Sequence, residues 1–150
     1  MRVMSKPASV LSEEQTRTLL KKAESALKHA YIPYSHYPVG AAILTGSGRI
    51  YTGCNIENSS YGATICAERV AACSAVAAGD LSFRALAVVT YSEEPGPPCG
   101  ICRQFLSEFA DDLPIIMANL KGEVRKGNLR TYLPAAFTGA FMKDREGEKE

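Results

Sequence analysis

Two cysteine-bearing segments, Cys66-Ala67-Glu68-Arg69 and Pro98-Cys99-Gly100-Ile101-Cys102, each stand at the head of a stretch that reads as a helix. A fold that uses their thiols together has to bring two helix starts side by side. The five cysteines are an odd number, and Met1 to Val10 lacks the apolar middle of a signal peptide, so a disulfide framework is not expected. Metal binding and plain core packing come first, in a protein expected to be cytoplasmic.

Cys66, Cys99 and Cys102 supply three thiolates and Glu68 a carboxylate. A catalytic zinc takes three protein ligands and leaves the fourth tetrahedral position to water, whose pKa the metal lowers to about 7. That water needs a nearby base that is not itself a ligand, and Glu68 is the candidate. Residues two apart do not share a face of a regular helix, so Cys66 and Glu68 converge only if the helix is just beginning there. Three thiolates leave the site negative; helix N-termini offset part of this, and Arg69 offsets more by donating to a thiolate sulfur.

Other readings of the cysteines stand beside this one. Cys99-Gly100-Ile101-Cys102 alone fits a redox pair, but that leaves Cys66-Ala67-Glu68 unexplained. A structural zinc site, and with it a non-catalytic zinc-stabilised binding domain, needs a fourth ligand from Cys54 or Cys73. Both are otherwise expected in the core. His29 and His36 sit where a helix end and a loop hold histidines for ordinary hydrogen bonding, and neither is expected to bind zinc.

Ser12-Glu13-Glu14-Gln15 fits a capping box, and the apolar spacing behind it predicts a helix that runs until Pro33. Val39 to Leu44 and Arg49 to Cys54 read as a hairpin turning at Gly46-Ser47-Gly48. Ile65 to Ala78 and Gly100 to Ala110 read as helices, Ala85 to Tyr91 and Ile115 to Ala118 as buried strands. A last strand near Glu123 to Lys126 and a helix over Gly127 to Leu133 complete a single domain spanning 1–150, with a flexible start (1–11) and a charged tail (143–150). A hairpin followed by alternating helices and strands implies a mixed α/β sheet covered on both faces.

Lysine plus arginine (17) nearly cancels aspartate plus glutamate (16), so the chain has no strong field for nucleic acid or an anionic membrane. No apolar run approaches the roughly 20 residues of a membrane span. Gly40, Gly46 and Gly48 do not form a phosphate loop opening a helix. The expected ligand is small and not polyanionic.

Cys-Ala-Glu followed by Pro-Cys-x-x-Cys resembles the cytidine deaminase family, in its small homotetrameric branch. Tyr34-Ser35-His36-Tyr37-Pro38-Val39-Gly40 and Asn55-Ile56-Glu57-Asn58 extend the resemblance over about Ser12 to Phe137. It implies a three-layer α/β/α sandwich around a mixed five-stranded sheet, Zn2+ held by Cys66, Cys99 and Cys102, and Glu68 moving protons to the ring nitrogen and departing ammonia. The chemistry is that known for zinc deaminases in general.

The resemblance also places Asn55 and Glu57 on the ribose hydroxyls and the Ala67 backbone on the pyrimidine. Tyr37 stands where the family usually has phenylalanine against the base, and Tyr61 and Phe137 where neighbouring subunits complete each other's sites. Cysteine at position 66, where nucleotide, transfer-RNA and guanine deaminases usually have histidine, favours a free nucleoside. The implied reaction is deamination of cytidine and deoxycytidine; a modified pyrimidine or nucleoside antibiotic would use the same chemistry.

Overall fold

The capping box forms as expected: Ser12 Oγ accepts from the Gln15 N–H and Gln15 Oε1 from the Ser12 N–H, each at 3.0 Å. In the computed structural model, which describes residues 10–142, this starts α1 (Glu13–Leu27). The helix ends well before Pro33 because the Tyr31 backbone turns away to pair with Asn55 and Glu57. Residues 1–9 and the predicted charged tail, 143–150, lie outside the described residues.

The hairpin is β1 (Val39–Thr45) and β2 (Ile50–Cys54). Then follow α2 (Ala67–Ala77), β3 (Phe83–Thr90), α3 (Gly100–Leu106), β4 (Pro114–Asn119), β5 (Val124–Asn128) and α4 (Leu129–Tyr132). The predicted helices shorten at their ends. In particular α3 stops before Ala110, and Gly127 and Asn128 belong to β5, where they pair with Ile115 and Pro114. Asn128 caps α4 by accepting from the Thr131 N–H.

The sheet order is β2-β1-β3-β4-β5, with β3 and β4 parallel and the other neighbours antiparallel. This is the expected mixed five-stranded α/β sheet. Alternation along the strands sorts their side chains to two faces. Ala42, Leu44, Ala87 and Val89 meet Leu19, Ala23 and Leu27 of α1. Ala41, Ile43, Leu86 and Val88 meet Ala71, Ala72 and Ala75 of α2 and Leu106 of α3.

The helices lie close to the sheet because two strand positions carry no side chain. A Cβ on Gly40 would fall 1.9 Å from the Ala23 carbonyl oxygen in α1. A Cβ on Gly53 would fall 2.4 Å from the Ala67 carbonyl oxygen and 2.5 Å from the Ala71 nitrogen in α2. Both clashes are with backbone, which no rotamer change relieves.

Behind α2, Asp80 ties the helix exit to the hairpin: its Oδ2 accepts from the Tyr51 hydroxyl at 2.7 Å, Ser47 Oγ at 2.9 Å and Thr45 Oγ1 at 3.3 Å. These donors, Tyr51 first, hold the Asp80 carboxyl below its ordinary 3.8. A carboxyl whose pKa falls on folding stabilises the fold above its ordinary value, and the contribution disappears as pH drops through the folded value. Asp80→Asn is therefore expected to lower the melting temperature at pH 7, with the gap to wild type closing in acid below 3.8. Thermal melts across that range test this; a gap independent of pH would mean the latch acts without its charge.

Candidate metal centre and nucleoside pocket

Cys66 and Cys99 are the N-cap residues of α2 and α3, both with extended backbone (ψ 153° and 167°) and neither side chain capping its helix. The sulfurs turn instead toward each other, 3.7 Å apart. Cys102, fully buried in the first turn of α3, completes a group whose three Sγ atoms lie within 4.8 Å of one another. Bonds of about 2.3 Å from zinc to each of two thiolates at the tetrahedral angle put the sulfurs about 3.75 Å apart, so the Cys66–Cys99 spacing suits the ion. Hydrogen bonding with Cys102, Arg69 and Cys99 pushes the Cys66 thiol down to about 5 against the opposing cost of burial. Donation to Cys66 and burial push Cys102 upward.

The condition on Cys66 and Glu68 is met, because α2 begins between them. Cys66 is still extended while Glu68 is already helical, and the Glu68 carboxyl lies close enough to feel Cys66 and bond Cys102. Glu68 is 5% exposed. Burial pushes its carboxyl up to about 7, with help from Cys66 and opposition from its own N–H and from Arg69. Arg69 Nη2 lies 3.5 Å from both Cys66 Sγ and the Thr64 carbonyl. Its Nε is buried without a hydrogen-bond partner, a spare donor on a cation beside the thiols. A cationic donor set of this kind compensates a thiolate-rich metal site.

The fourth-ligand reading finds no support. Among the described residues, neither Cys54 nor Cys73 joins the thiol group. Nor does Cys73 sit in the core as expected: Ala71, Ala72 and Ala75 take the buried side of α2, which leaves Cys73 exposed, and Cys54 is only half-buried. Three thiols without a fourth protein ligand leave a tetrahedral position open, the arrangement of catalytic rather than structural zinc.

The second half of the site is joined to the first through backbone. Ile56 pairs with Ile65 on one side and Tyr31 on the other, which sets the Asn55–Glu57 segment one residue from Cys66. Asn55 and Glu57 both bond the segment 34–39. Asn55 Oδ1 accepts from the Val39 N–H at 2.9 Å and its Nδ2 donates to the Tyr37 carbonyl at 2.8 Å. Glu57 Oε1 accepts from the Tyr34 and Ser35 N–H groups, both at 3.1 Å. Burial works to raise the Glu57 carboxyl, but the Ser35 and Tyr34 donors outweigh it and lower its pKa. Both residues thus also shape the loop that carries Tyr37, a role their spacing alone did not reveal.

Ala67 is fully buried and Tyr37 is partly exposed. Tyr61, on a 3-10 turn (Tyr61–Ala63), is 74% exposed and meets Tyr34 edge-on, with ring centroids 5.6 Å apart. Phe137 is 61% exposed and stacks on Phe141. Among the described residues, nothing covers either aromatic. Two residues that the sequence reading passed over also belong here. Asn119, buried at the end of β4, donates to the Glu93 carbonyl and steadies the proline-rich loop leading to Cys99. Arg103 follows Cys102 directly and donates from Nε to the Pro98 carbonyl at 2.7 Å. The basic residue after Cys102 was the available signal for Arg103; for Asn119 there was none.

Comparison with known proteins agrees with this geometry. Residues 13–118 match the family model described as the cytidine and deoxycytidylate deaminase zinc-binding region. The chain is 49% identical over 121 residues to a cytidine deaminase of Sporosarcina psychrophila, covering 80% of this chain and 89% of the relative. It is 43% identical over 127 residues to one from Halalkalibacterium halodurans, covering 84% and 96%. The crystal structure of cytidine deaminase from Burkholderia pseudomallei superposes with a TM-score of 0.78 at 44% identity, covering 81% of this chain and 98% of that one.

Proposed function

The chain belongs to the cytidine and deoxycytidylate deaminase family, and on that footing we propose that it hydrolyses the amino group of free cytidine and deoxycytidine, giving uridine or deoxyuridine and ammonia. The observation that carries this reading is the sealed Glu68 carboxyl beside three converging thiols with an open fourth position.

Cys66, Cys99 and Cys102 would hold the zinc, which when bound would supply a water acidic enough to ionise near neutral pH. A Glu68 carboxylate oxygen would take a proton from the attacking water and hand it to the ring nitrogen N3. The water oxygen would bond to C4 as the C4–N3 double-bond pair moves to N3 and takes up that proton. Glu68 then carries a second proton to the departing amino nitrogen, so one water enters and one ammonia leaves. A carboxyl held near 7 suits this work, since both protonation states are accessible at neutral pH. Arg69 offsets the thiolate charge, and the Ala67 backbone contacts the pyrimidine.

Asn55 and Glu57 hold the ribose hydroxyls, and the Glu57 carboxylate disfavours a phosphate in the same place. The Tyr37 ring lies along the base. Tyr61 and Phe137, exposed in the single chain, complete the sites of neighbouring copies in a homotetramer.

Ammonia release and the accompanying ultraviolet change, followed with zinc-loaded protein, test the assignment. Cytidine and deoxycytidine are expected to be converted and cytidine monophosphate spared. Light scattering on the same preparation is expected to give four copies of the 16.2 kDa chain. Turnover of a modified pyrimidine or nucleoside antibiotic with cytidine untouched would overturn the substrate while leaving the chemistry; zinc binding without any deamination would point to a binding domain.

A further inference from the structure

Cys99 is the exposed member of the thiol group. Arg103 grips two carbonyls at once: Nε donates to Pro98, the residue before Cys99, at 2.7 Å, and Nη1 donates to Tyr132 at 3.0 Å. Its guanidinium also lies over the Tyr132 ring, 5.2 Å from the centroid. That ring also rests on β5 where Gly127 has no side chain; a Cβ there would come within 2.7 Å of it. The next residue continues the link, because Gln104 Nε2 donates to the Phe137 carbonyl at 2.9 Å.

We propose that Arg103 is a positioning residue that joins the Cys99 loop to the C-terminal segment bearing Phe137, so that zinc retention and the placement of that segment are set together. The planar guanidinium is suited to this, since its fixed fork reaches two carbonyls and still stacks on an aromatic face. A lysine ammonium reaches one. Gln104 acts downstream of the joint, its side-chain amide bonding the C-terminal segment at the Phe137 carbonyl. The inference rests on the zinc site proposed above.

The test uses the zinc-loaded full chain and its Arg103→Met, Arg103→Lys and Gln104→Ala variants. Three quantities are read: zinc release to a chromophoric chelator, amide hydrogen exchange over residues 133–142, and the sulfur-to-cobalt absorption of cobalt-substituted protein. Loss of an outer support for a metal ligand typically costs 10–100-fold in metal affinity, so Arg103→Met is expected to speed zinc release about tenfold. It should also raise exchange over 133–142 and alter the cobalt band. Gln104→Ala is expected to raise exchange while leaving zinc release and the cobalt band as in the native protein.

Should Arg103→Met fail to fold, Arg103→Lys decides, with faster release and exchange expected. Arginine variants that match the native protein in all three readouts overturn the inference, as does Gln104→Ala speeding zinc release equally. A native protein that holds no zinc overturns the metal site, and this inference with it.

Discussion

Glu68→Gln is expected to fold, to retain zinc at the three thiols and to lose about three orders of magnitude in kcat on cytidine. General acid–base groups typically contribute about 10²–10⁴-fold, and here one carboxyl handles both proton transfers with no other titratable side chain of the thiol cluster free to replace it. The midpoint of that range corresponds to about 4 kcal/mol of transition-state stabilisation. Glutamine fills the same space, so zinc content and substrate affinity should change little. Stability should not fall either, because a neutral amide avoids the cost of a charge at a position only 5% exposed. Zinc content, melting temperature and steady-state kinetics on the same preparation separate these effects. Activity within tenfold of native would remove Glu68 from the role of proton carrier.

The second large effect is expected from a residue with no functional group. Gly53→Ala places a Cβ 2.4 Å from the Ala67 carbonyl oxygen, 2.5 Å from the Ala71 nitrogen and 2.9 Å from Val70 Cβ. Relief requires α2 to lift from the sheet, and its first turn carries Cys66, Ala67 and Glu68 with it. Overpacking of this kind costs about 1–3 kcal/mol, which in a chain of this size lowers the melting temperature by roughly 2–12 °C. The larger consequence is geometric: a displacement of about 1 Å in catalytic groups can cost 10²-fold, and kcat/KM is expected to fall by about that factor. Steady-state kinetics beside a thermal melt check both numbers. Normal turnover in a destabilised protein would mean that the first turn of α2 keeps its place while the strand gives way.

Local features were legible in the sequence. The Ser12–Gln15 capping box, the hairpin through Gly46-Ser47-Gly48 and the strand at Ala85 to Tyr91 all appear close to their expected bounds, because caps, turns and apolar periodicity act over a few residues. Errors fell at element ends and on faces. The first helix stops short of Pro33 because Tyr31 is drawn into a backbone pairing with residues far along the chain. Cys73 reads as a core cysteine, yet the register of α2 against the sheet turns it outward.

The same division holds for the site. Three thiols, a carboxylate and a guanidinium in Cys66-Ala67-Glu68-Arg69 and Pro98-Cys99-Gly100-Ile101-Cys102 determine what chemistry is available, since ligand softness and proton affinity belong to residue types. The sequence alone also determines that Asn55 and Glu57 can share a side of an extended segment. Only the tertiary structure decides that the second and third helices start side by side, that Gly53 lets one of them close on the sheet, and that burial lifts Glu68 to about 7. It also decides that Arg103 reaches both Pro98 and Tyr132. These depend on distances between segments remote along the chain and on the exclusion of water from between them, which packing sets and local pattern does not.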